Sequence, residues 1–288
     1  MEYQAINRKG KMDYSKKEAR KQTWLFIVAT FVVICFLFPV AWMFLTSVKT
    51  RLDAFAMPPV WIFKPTLENY RSLLLGEPFF KYLWNSFFIS SIAAILAGVL
   101  GTPTAYALSR FKFKGNNLFA FWILASRIAP PMALVLPFFI MFRAFGLVNS
   151  YLSIIIIYMT LNLAFVVWMM RGYFAQVPIS IEEAAKIDGC SIFGTLRRVT
   201  LPLVSQGLSA TLVFCFMANW SEFVLALIFT GIETRTAPVL ISGFVTVEGI
   251  RWGMIGAAGT IVNLPVIIFA MLLQKYFVRG LTSGAVKS

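Results

Sequence analysis

The stretch Trp24–Val48 reads WLFIVATFVVICFLFPVAWMFLTSV, a run of 25 residues without a charge. A helix needs about 20 apolar residues to cross the hydrocarbon core of a bilayer, which is roughly 30 Å thick. The run is too long for the apolar region of a secretory signal peptide, and no cleavage site with small residues ends it. It therefore predicts a first transmembrane helix.

Similar apolar segments recur along the chain. The five that follow the first are approximately Leu83–Ser109, Leu118–Phe142, Tyr151–Met170, Gly207–Thr230 and Gly256–Phe277. The composition agrees with a membrane protein, because 59% of the 288 residues are hydrophobic and only 13% are charged. The sequence therefore predicts an all-α, polytopic membrane protein with six transmembrane helices. Pro130-Pro131 is predicted to bend or break the third of these helices.

Lysine and arginine residues between the apolar segments indicate the orientation of the chain. With the N-terminus in the cytoplasm, the inside segments hold seventeen of these residues and the outside loops hold eight. An excess of basic residues is typical of cytoplasmic loops. We therefore expect a cytoplasmic N-terminal segment, 1–22, followed by a six-helix transmembrane domain, 23–288, with both termini in the cytoplasm.

Several functional classes are disfavoured by the composition. The net charge of +14 comes from basic residues between apolar blocks rather than along one face, so no nucleic acid is expected as a partner. There is no histidine, and the three cysteines lack the spacing of metal ligands. No phosphate-binding G-x-x-x-x-G-K-[ST] loop occurs. The sequence therefore predicts no metal site, no catalytic residue and no cofactor bound by this chain.

The longest inside loop, about 172–205, carries signals for two short helices. Ser180 and Glu183 form a potential capping box, in which each side chain bonds a free backbone N–H of the first turn. Gly189 predicts the end of that helix. A second helix is expected from about Ser191 to Arg198, and Pro202 suits the first turn of the next one.

The first of these helices has the features of a docking surface for another protein. Ala184 and Ala185 are small, so a partner could approach them closely, and Glu182, Glu183, Lys186 and Asp188 offer charges at its edges. An alternative is a helix that lies on lipid headgroups. Two glutamates before a single lysine disfavour that alternative, because anionic lipids repel them.

The spacing in this loop is that of a known motif. Glu183-Ala184-Ala185, three residues, Gly189, nine residues and Val199-Thr200-Leu201-Pro202 resemble the EAA loop of ABC importer permeases of the binding-protein-dependent type, with Val199 in place of isoleucine. Further stretches resemble the carbohydrate-uptake subfamily, to which the six-span inner-membrane permease of the maltose transporter belongs. They are Phe44–Lys49, Ala105–Phe111, Arg127–Pro131 and Trp220–Phe223.

The resemblance implies a type I ABC importer permease fold and a place in a larger complex of a bacterial or archaeal inner membrane. The implied partners are a second homologous permease, two copies of an ABC ATPase that binds ATP and Mg²⁺, and an extracytoplasmic solute-binding protein. The chain itself would be a transport subunit and not an enzyme. The residues implied to couple it to the ATPase are Glu182, Glu183, Ala184, Ala185, Asp188, Gly189 and Pro202.

Polar residues within the predicted spans are candidates for a path taken by a sugar or polyol, because such residues are costly in a membrane. The candidates are Asn162, Asn219, Trp220, Ser221 and Glu222. The alternative is that these side chains only hold helices together. Two other functions remain: import of a solute that is not a sugar, and transport driven by an ion gradient. The scarcity of carboxylates within the spans, essentially Glu222 alone, disfavours the latter.

Overall fold

The computed structural model of the chain describes the backbone of residues 2–128, 130–247 and 249–285, with side chains between positions 20 and 271 of those ranges. Its helices are Glu2–Ser47 (α1), Arg51–Phe55 (α2), Glu68–Gly76 (α3), Phe79–Arg110 (α4), Asn116–Ala125 (α5), Pro131–Ala144 (α6), Tyr151–Ala175 (α7), Ile179–Ile187 (α8), Ile192–Thr195 (α9), Leu201–Leu203 (α10), Ser205–Trp220 (α11), Val224–Phe229 (α12), Ala237–Ser242 (α13) and Trp252–Ala285 (α14). A π-helical turn, Leu196–Thr200, joins α9 to α10. The strands Val245–Thr246 (β1) and Gly249–Ile250 (β2) pair antiparallel, with Val245 opposite Ile250.

The predicted all-helical membrane architecture is confirmed, whereas the number of six continuous spans is not. In the part of the chain that the structure describes, α1, α4, α7 and α14 are long and apolar enough to cross a bilayer. A fifth span is counted if the segment Ile192–Leu203 and α11, which meet at 81°, are taken together. The third predicted segment consists of the shorter helices α5 and α6, so the predicted break at Pro130-Pro131 is confirmed.

The larger of two compact units contains residues 73–250 and 261–288. Its centre is α4, which packs most extensively against α7 and also against α11. Small side chains allow helices in a membrane to approach one another closely. Buried small residues on α4 serve this purpose; they are Ala93, Ala94, Ala97, Gly98, Gly101 and Ala105.

Apolar side chains form two clusters in this unit. One includes Phe174 of α7, Phe216 of α11 and, from the loop between these helices, Leu196. The other includes Phe142 and Phe229, which lie near the C-terminal ends of α6 and α12. Both clusters include residues of α4 and α7, and the loop between α7 and α11 packs on the first of them.

The loop after α12 is held to the start of α4 by hydrogen bonds. The Asn85 amide donates to the carbonyl oxygens of Glu233 and Arg235, at 2.9 Å each, and accepts from the Tyr151 hydroxyl at 2.9 Å. The Ser86 hydroxyl accepts from the N–H of Ala237, the first residue of α13. These bonds satisfy buried polar groups that would otherwise be costly beside a membrane.

The smaller unit contains residues 1–72 and 251–260. Close packing of α1 on the first turns of α14 depends on Gly256, because a Cβ there would lie 2.9 Å from the carbonyl oxygen of Met43 and from the backbone nitrogen of Ser47. Backbone atoms cannot rotate away from such a contact. Between residues 20 and 41, in contrast, α1 is exposed on all its sides.

The exchange Gly256→Ala is therefore expected to separate α1 from α14 and to destabilise the protein by about 1–3 kcal/mol through overpacking. Gly172→Ala is the matched control, because nothing lies within 4 Å of a Cβ at Gly172 in α7 and alanine is the better helix former. Thermal unfolding of both variants in detergent measures the effect. Equal midpoints for the two variants would contradict the packing described.

Candidate functional site

The loop 172–205 forms the predicted helix, turn and helix, but its first helix starts differently. Pro178 occupies the N-cap position of α8, and no side chain caps the helix. Ser180 lies inside the first turn, so the predicted capping box of Ser180 and Glu183 is wrong. The reason is that the N-cap is Pro178, with φ −58° and ψ 133°, so the helix begins two residues earlier than predicted.

The end of α8 is formed as predicted. Gly189 has a φ of +85°, a conformation that side chains disfavour. Its N–H donates to the Lys186 carbonyl, and the N–H of Cys190 donates to the Ala185 carbonyl, both at 3.0 Å. This is the Schellman pattern of a helix end. The next helix, α9, is capped by Ser191, whose hydroxyl accepts from the N–H of Gly194 at 3.1 Å.

Glu182 does not offer its charge at the surface, and that expectation is wrong. The residue is 2% exposed. Its Oε1 accepts from Arg110 Nε at 2.9 Å and from the Thr200 hydroxyl at 3.1 Å, and its Oε2 accepts from the Tyr106 hydroxyl at 3.0 Å. Arg110 also donates to the Val177 carbonyl at 2.9 Å. A buried carboxylate is stable only when it is paired and hydrogen-bonded in this way.

This cluster joins three distant parts of the chain at one carboxylate. Arg110 and Tyr106 belong to the last turns of α4, Glu182 to α8 and Thr200 to the π-helical turn. Sequence reasoning missed it because Arg110 is 72 positions from Glu182. One signal was available: adjacent helical residues point about 100° apart, so Glu182 and Glu183 could not share a face.

The opposite face of α8 is open. Glu183, Ala184, Lys186 and Asp188 are exposed there, and so is Gly189. Ala185 is buried against the chain's own core, so the expectation that both alanines are open holds only for Ala184.

Apolar side chains adjoin this open face. Ile187 is 87% exposed and Phe193 is 66% exposed. Pro202 is exposed as well, at the start of α10. Exposed apolar groups beside charges are typical of a surface that another protein covers.

Three of the polar candidates within the spans are engaged inside the chain. The Asn162 amide donates to Asn219 Oδ1 at 2.6 Å, and the Asn219 amide donates to the Ser90 carbonyl at 3.3 Å. The Trp220 indole donates to the Val262 carbonyl at 2.9 Å, and its ring stacks on Phe216. All three candidates are buried. Their hydrogen bonds connect helices, as expected if these side chains have a packing role.

Ser221 and Glu222 lie at the break between α11 and α12. Ser221 is exposed, and its hydroxyl donates to the Met217 carbonyl at 3.0 Å. The Glu222 carboxylate accepts from the N–H groups of Leu225 and Ala226 and from the Tyr158 hydroxyl. It therefore caps α12, as required where backbone N–H groups are exposed within a membrane.

The comparisons with known proteins agree with the motif in the loop. Residues 94–283 match a family described as the binding-protein-dependent transport system inner membrane component. The chain belongs to this family. It is a permease subunit of an ABC importer, as its EAA-like loop predicted.

Its relatives match it over nearly their whole length. The probable ABC transporter permease protein y4oR of Sinorhizobium fredii is 37% identical and covers 95% of this permease and 98% of its own chain. The trehalose/maltose transport system permease protein MalG of Thermococcus litoralis is 38% identical and covers 94% and 99%. The diacetylchitobiose uptake system permease protein DasC of Streptomyces coelicolor is 33% identical and covers 94% and 99%.

A solved structure has the same fold. A crystal structure of a bacterial ABC transporter involved in the import of the acidic polysaccharide alginate contains a chain that superposes with a TM-score of 0.74. The two chains are 24% identical, and the match covers 87% of the permease and 94% of the other chain.

The exchange Glu182→Gln is expected to destabilise the permease by about 3 kcal/mol, because it leaves the Arg110 side chain, which is 9% exposed, without a counter-charge. Glu183→Gln removes the neighbouring but exposed carboxylate and should change stability by less than about 0.5 kcal/mol. Thermal unfolding of the two variants measures the contrast. If both variants unfolded at the temperature of the unmodified permease, Glu182 would have no structural role.

Proposed function

We propose that this permease forms half of the translocation path of an ABC importer for a sugar or polyol, and that a separate ATPase drives it through the loop containing α8 and α9. The proposal rests on the contrast between the two faces of α8. Its inner side is fixed to α4 by Glu182, whereas its outer side presents Glu183, Ala184 and Ile187 without any cover from the chain itself.

The inner side of α8 explains how a movement could pass from the ATPase to the membrane. Glu182 is bonded to Arg110 and Tyr106 at the end of α4, and to Thr200 just before α10. A push on α8 would therefore be delivered both to the end of α4 and to the segment that leads into α11. Because bonds at a buried carboxylate are costly to break, α8 and these helix ends should move as one body.

Several features support the remaining parts of the complex. Between residues 20 and 41, α1 is exposed on all sides within this chain, so a second homologous permease or lipid could contact it there. Two copies of the ATPase would bind ATP and Mg²⁺, and a solute-binding protein would deliver the cargo from outside. Both termini would lie in the cytoplasm, because the excess of basic residues favours that orientation.

A carbohydrate is favoured as cargo by the names of the relatives. They include permeases for trehalose and maltose, for diacetylchitobiose and for sulfoquinovosyl glycerol. Of the polar candidates, Ser221 is the one that is exposed beside a break in the helices. It is therefore the residue of this chain that we expect to border the path.

Coupling is tested with Ala184→Trp. A large side chain at this exposed position should block the close approach of the ATPase and reduce its copurification about ten-fold, or about 1.4 kcal/mol of binding. Ala175→Trp is the control, since Ala175 is exposed on α7 outside the motif. In reconstituted vesicles, uptake should require ATP and survive collapse of the ion gradients. Uptake that persists without ATP and fails with the gradient would refute the importer mechanism.

The path is tested with Ser221→Trp, which should reduce uptake of the sugar about ten-fold or more while the ATPase still copurifies. Ser209→Trp places the same side chain at an exposed position within α11, about 120° around the helix axis from Ser221, and should transport normally. Equal uptake by the two variants would remove Ser221 from the path. The solutes that the reconstituted importer takes up identify its cargo. Uptake only of solutes that are not sugars would reject the carbohydrate assignment.

A further inference from the structure

The smaller unit contains a cavity of about 420 Å³ that the proposed transport cycle does not use. It lies where α1 ends, between the last turns of that helix, α2 and the beginning of α14. Its walls are mainly apolar and include Trp42, Met57 and Trp252. Two charged residues also line it, Lys49 and Asp53.

Lys49 is buried without a counter-charge. The residue is 3% exposed. Among the described residues, the ion pairs shorter than 4.0 Å join Arg110 with Glu182 and Lys81 with Glu233, so none includes Lys49. Its Nζ lies 4.6 Å from the ring centroid of Trp42 and 5.1 Å from that of Phe63. Aromatic faces only partly replace the hydration that a buried ammonium loses.

The position of the Lys49 backbone is fixed by its neighbours. The Asn69 amide donates to the carbonyl oxygens of Ser47 and Lys49, at 2.9 Å and 2.8 Å. The N–H of Thr66 donates to the Val48 carbonyl at 2.8 Å. These bonds fix the backbone from which the Lys49 side chain extends, and Trp42, over whose ring its ammonium lies, also lines the cavity.

The depth of the cavity indicates what kind of anion fits. Lys49 follows directly on the end of the α1 span at Ser47, so it lies at the level of lipid headgroups. Pro39 and Met43, which also line the cavity, lie about 15 Å and 9 Å further along the helix, at 1.5 Å per residue. The apolar wall thus continues towards the hydrocarbon layer, and the fitting ligand has an anionic head and an apolar tail.

Asp53 narrows the choice of headgroup. Its Oδ2 accepts from the Thr50 hydroxyl at 2.7 Å, which leaves the carboxylate in the same cavity as the ammonium of Lys49 but not paired with it. A zwitterionic head that carries both a phosphodiester and an amine matches these two charges. An anionic head without an amine would be repelled by Asp53.

We propose that this cavity binds a membrane phospholipid of the phosphatidylethanolamine type, with its phosphodiester at Lys49, its amine towards Asp53 and an acyl chain along Met43 and Pro39. The lipid would fill the space between α1, α2 and α14 and compensate the buried charge. The site is independent of the coupling loop, and its failure would leave the proposed transport function intact.

The test measures the lipids that remain on the purified importer complex by native mass spectrometry. One phosphatidylethanolamine per permease is expected. Lys49→Met should reduce its retention about ten-fold. The matched control is Lys64→Met, because Lys64 is exposed in the same loop, and it should retain the lipid. Asp53→Asn should keep a lipid but accept phosphatidylglycerol as readily.

Further measurements keep the proposal open to refutation. Ala54→Trp fills the cavity from its wall and leaves Lys49 in place, so it should expel the lipid even if Lys49→Met folds poorly. Inorganic phosphate at millimolar concentration should not displace the lipid; displacement would mean that a free anion is the ligand. Equal retention by Lys49→Met and Lys64→Met, or a side chain of the second permease found in the cavity of the complex, would overturn the proposal.

Discussion

The buried carboxylate of Glu182 is the constraint on which the functional face of this permease depends. It accepts three hydrogen bonds, from Arg110, Tyr106 and Thr200, and none of these donors is near it in the sequence. Because an unpaired charge in this position would be very unfavourable, the end of α4, the first turn of α8 and the π-helical turn must meet at one point. The orientation of α8 follows from this junction. With Glu182 turned inwards, Glu183 and Ala184 are turned outwards.

The same requirement for satisfied polar groups shapes the membrane part. Breaks in apolar helices expose backbone N–H groups, and the chain supplies partners for them locally: Glu222 caps α12 where α11 has ended. Pro131 begins α6 at a position where a missing N–H costs nothing. Asn162 and Asn219 bond to each other instead of facing lipid. At the break between α11 and α12, a side chain thus replaces the lost backbone bonds.

Patterns within a short stretch of sequence predicted much of this structure, whereas contacts between distant stretches did not. The apolar runs located α4, α7 and α14, and Pro130-Pro131 located the break between α5 and α6. The start of α8 was misplaced because Pro178 competes with Ser180 for the same position. The partners of Glu182 and the burial of Lys49 could not be predicted from the sequence, since each depends on residues that folding brings together. The Lys49 ammonium, for example, lies over the rings of Trp42 and Phe63.

The hairpin that turns at Gly189 keeps its shape without help from its exposed residues. It is closed by main-chain groups, from Gly189 to Lys186 and from Cys190 to Ala185, and the hairpin is anchored by side chains on its inward face. The outward residues take no part in maintaining its shape. The shape of the hairpin and the chemistry of its exposed surface are therefore separable: residues such as Glu183, Ala184 and Ile187 can be exchanged while the framework beneath them stays unchanged.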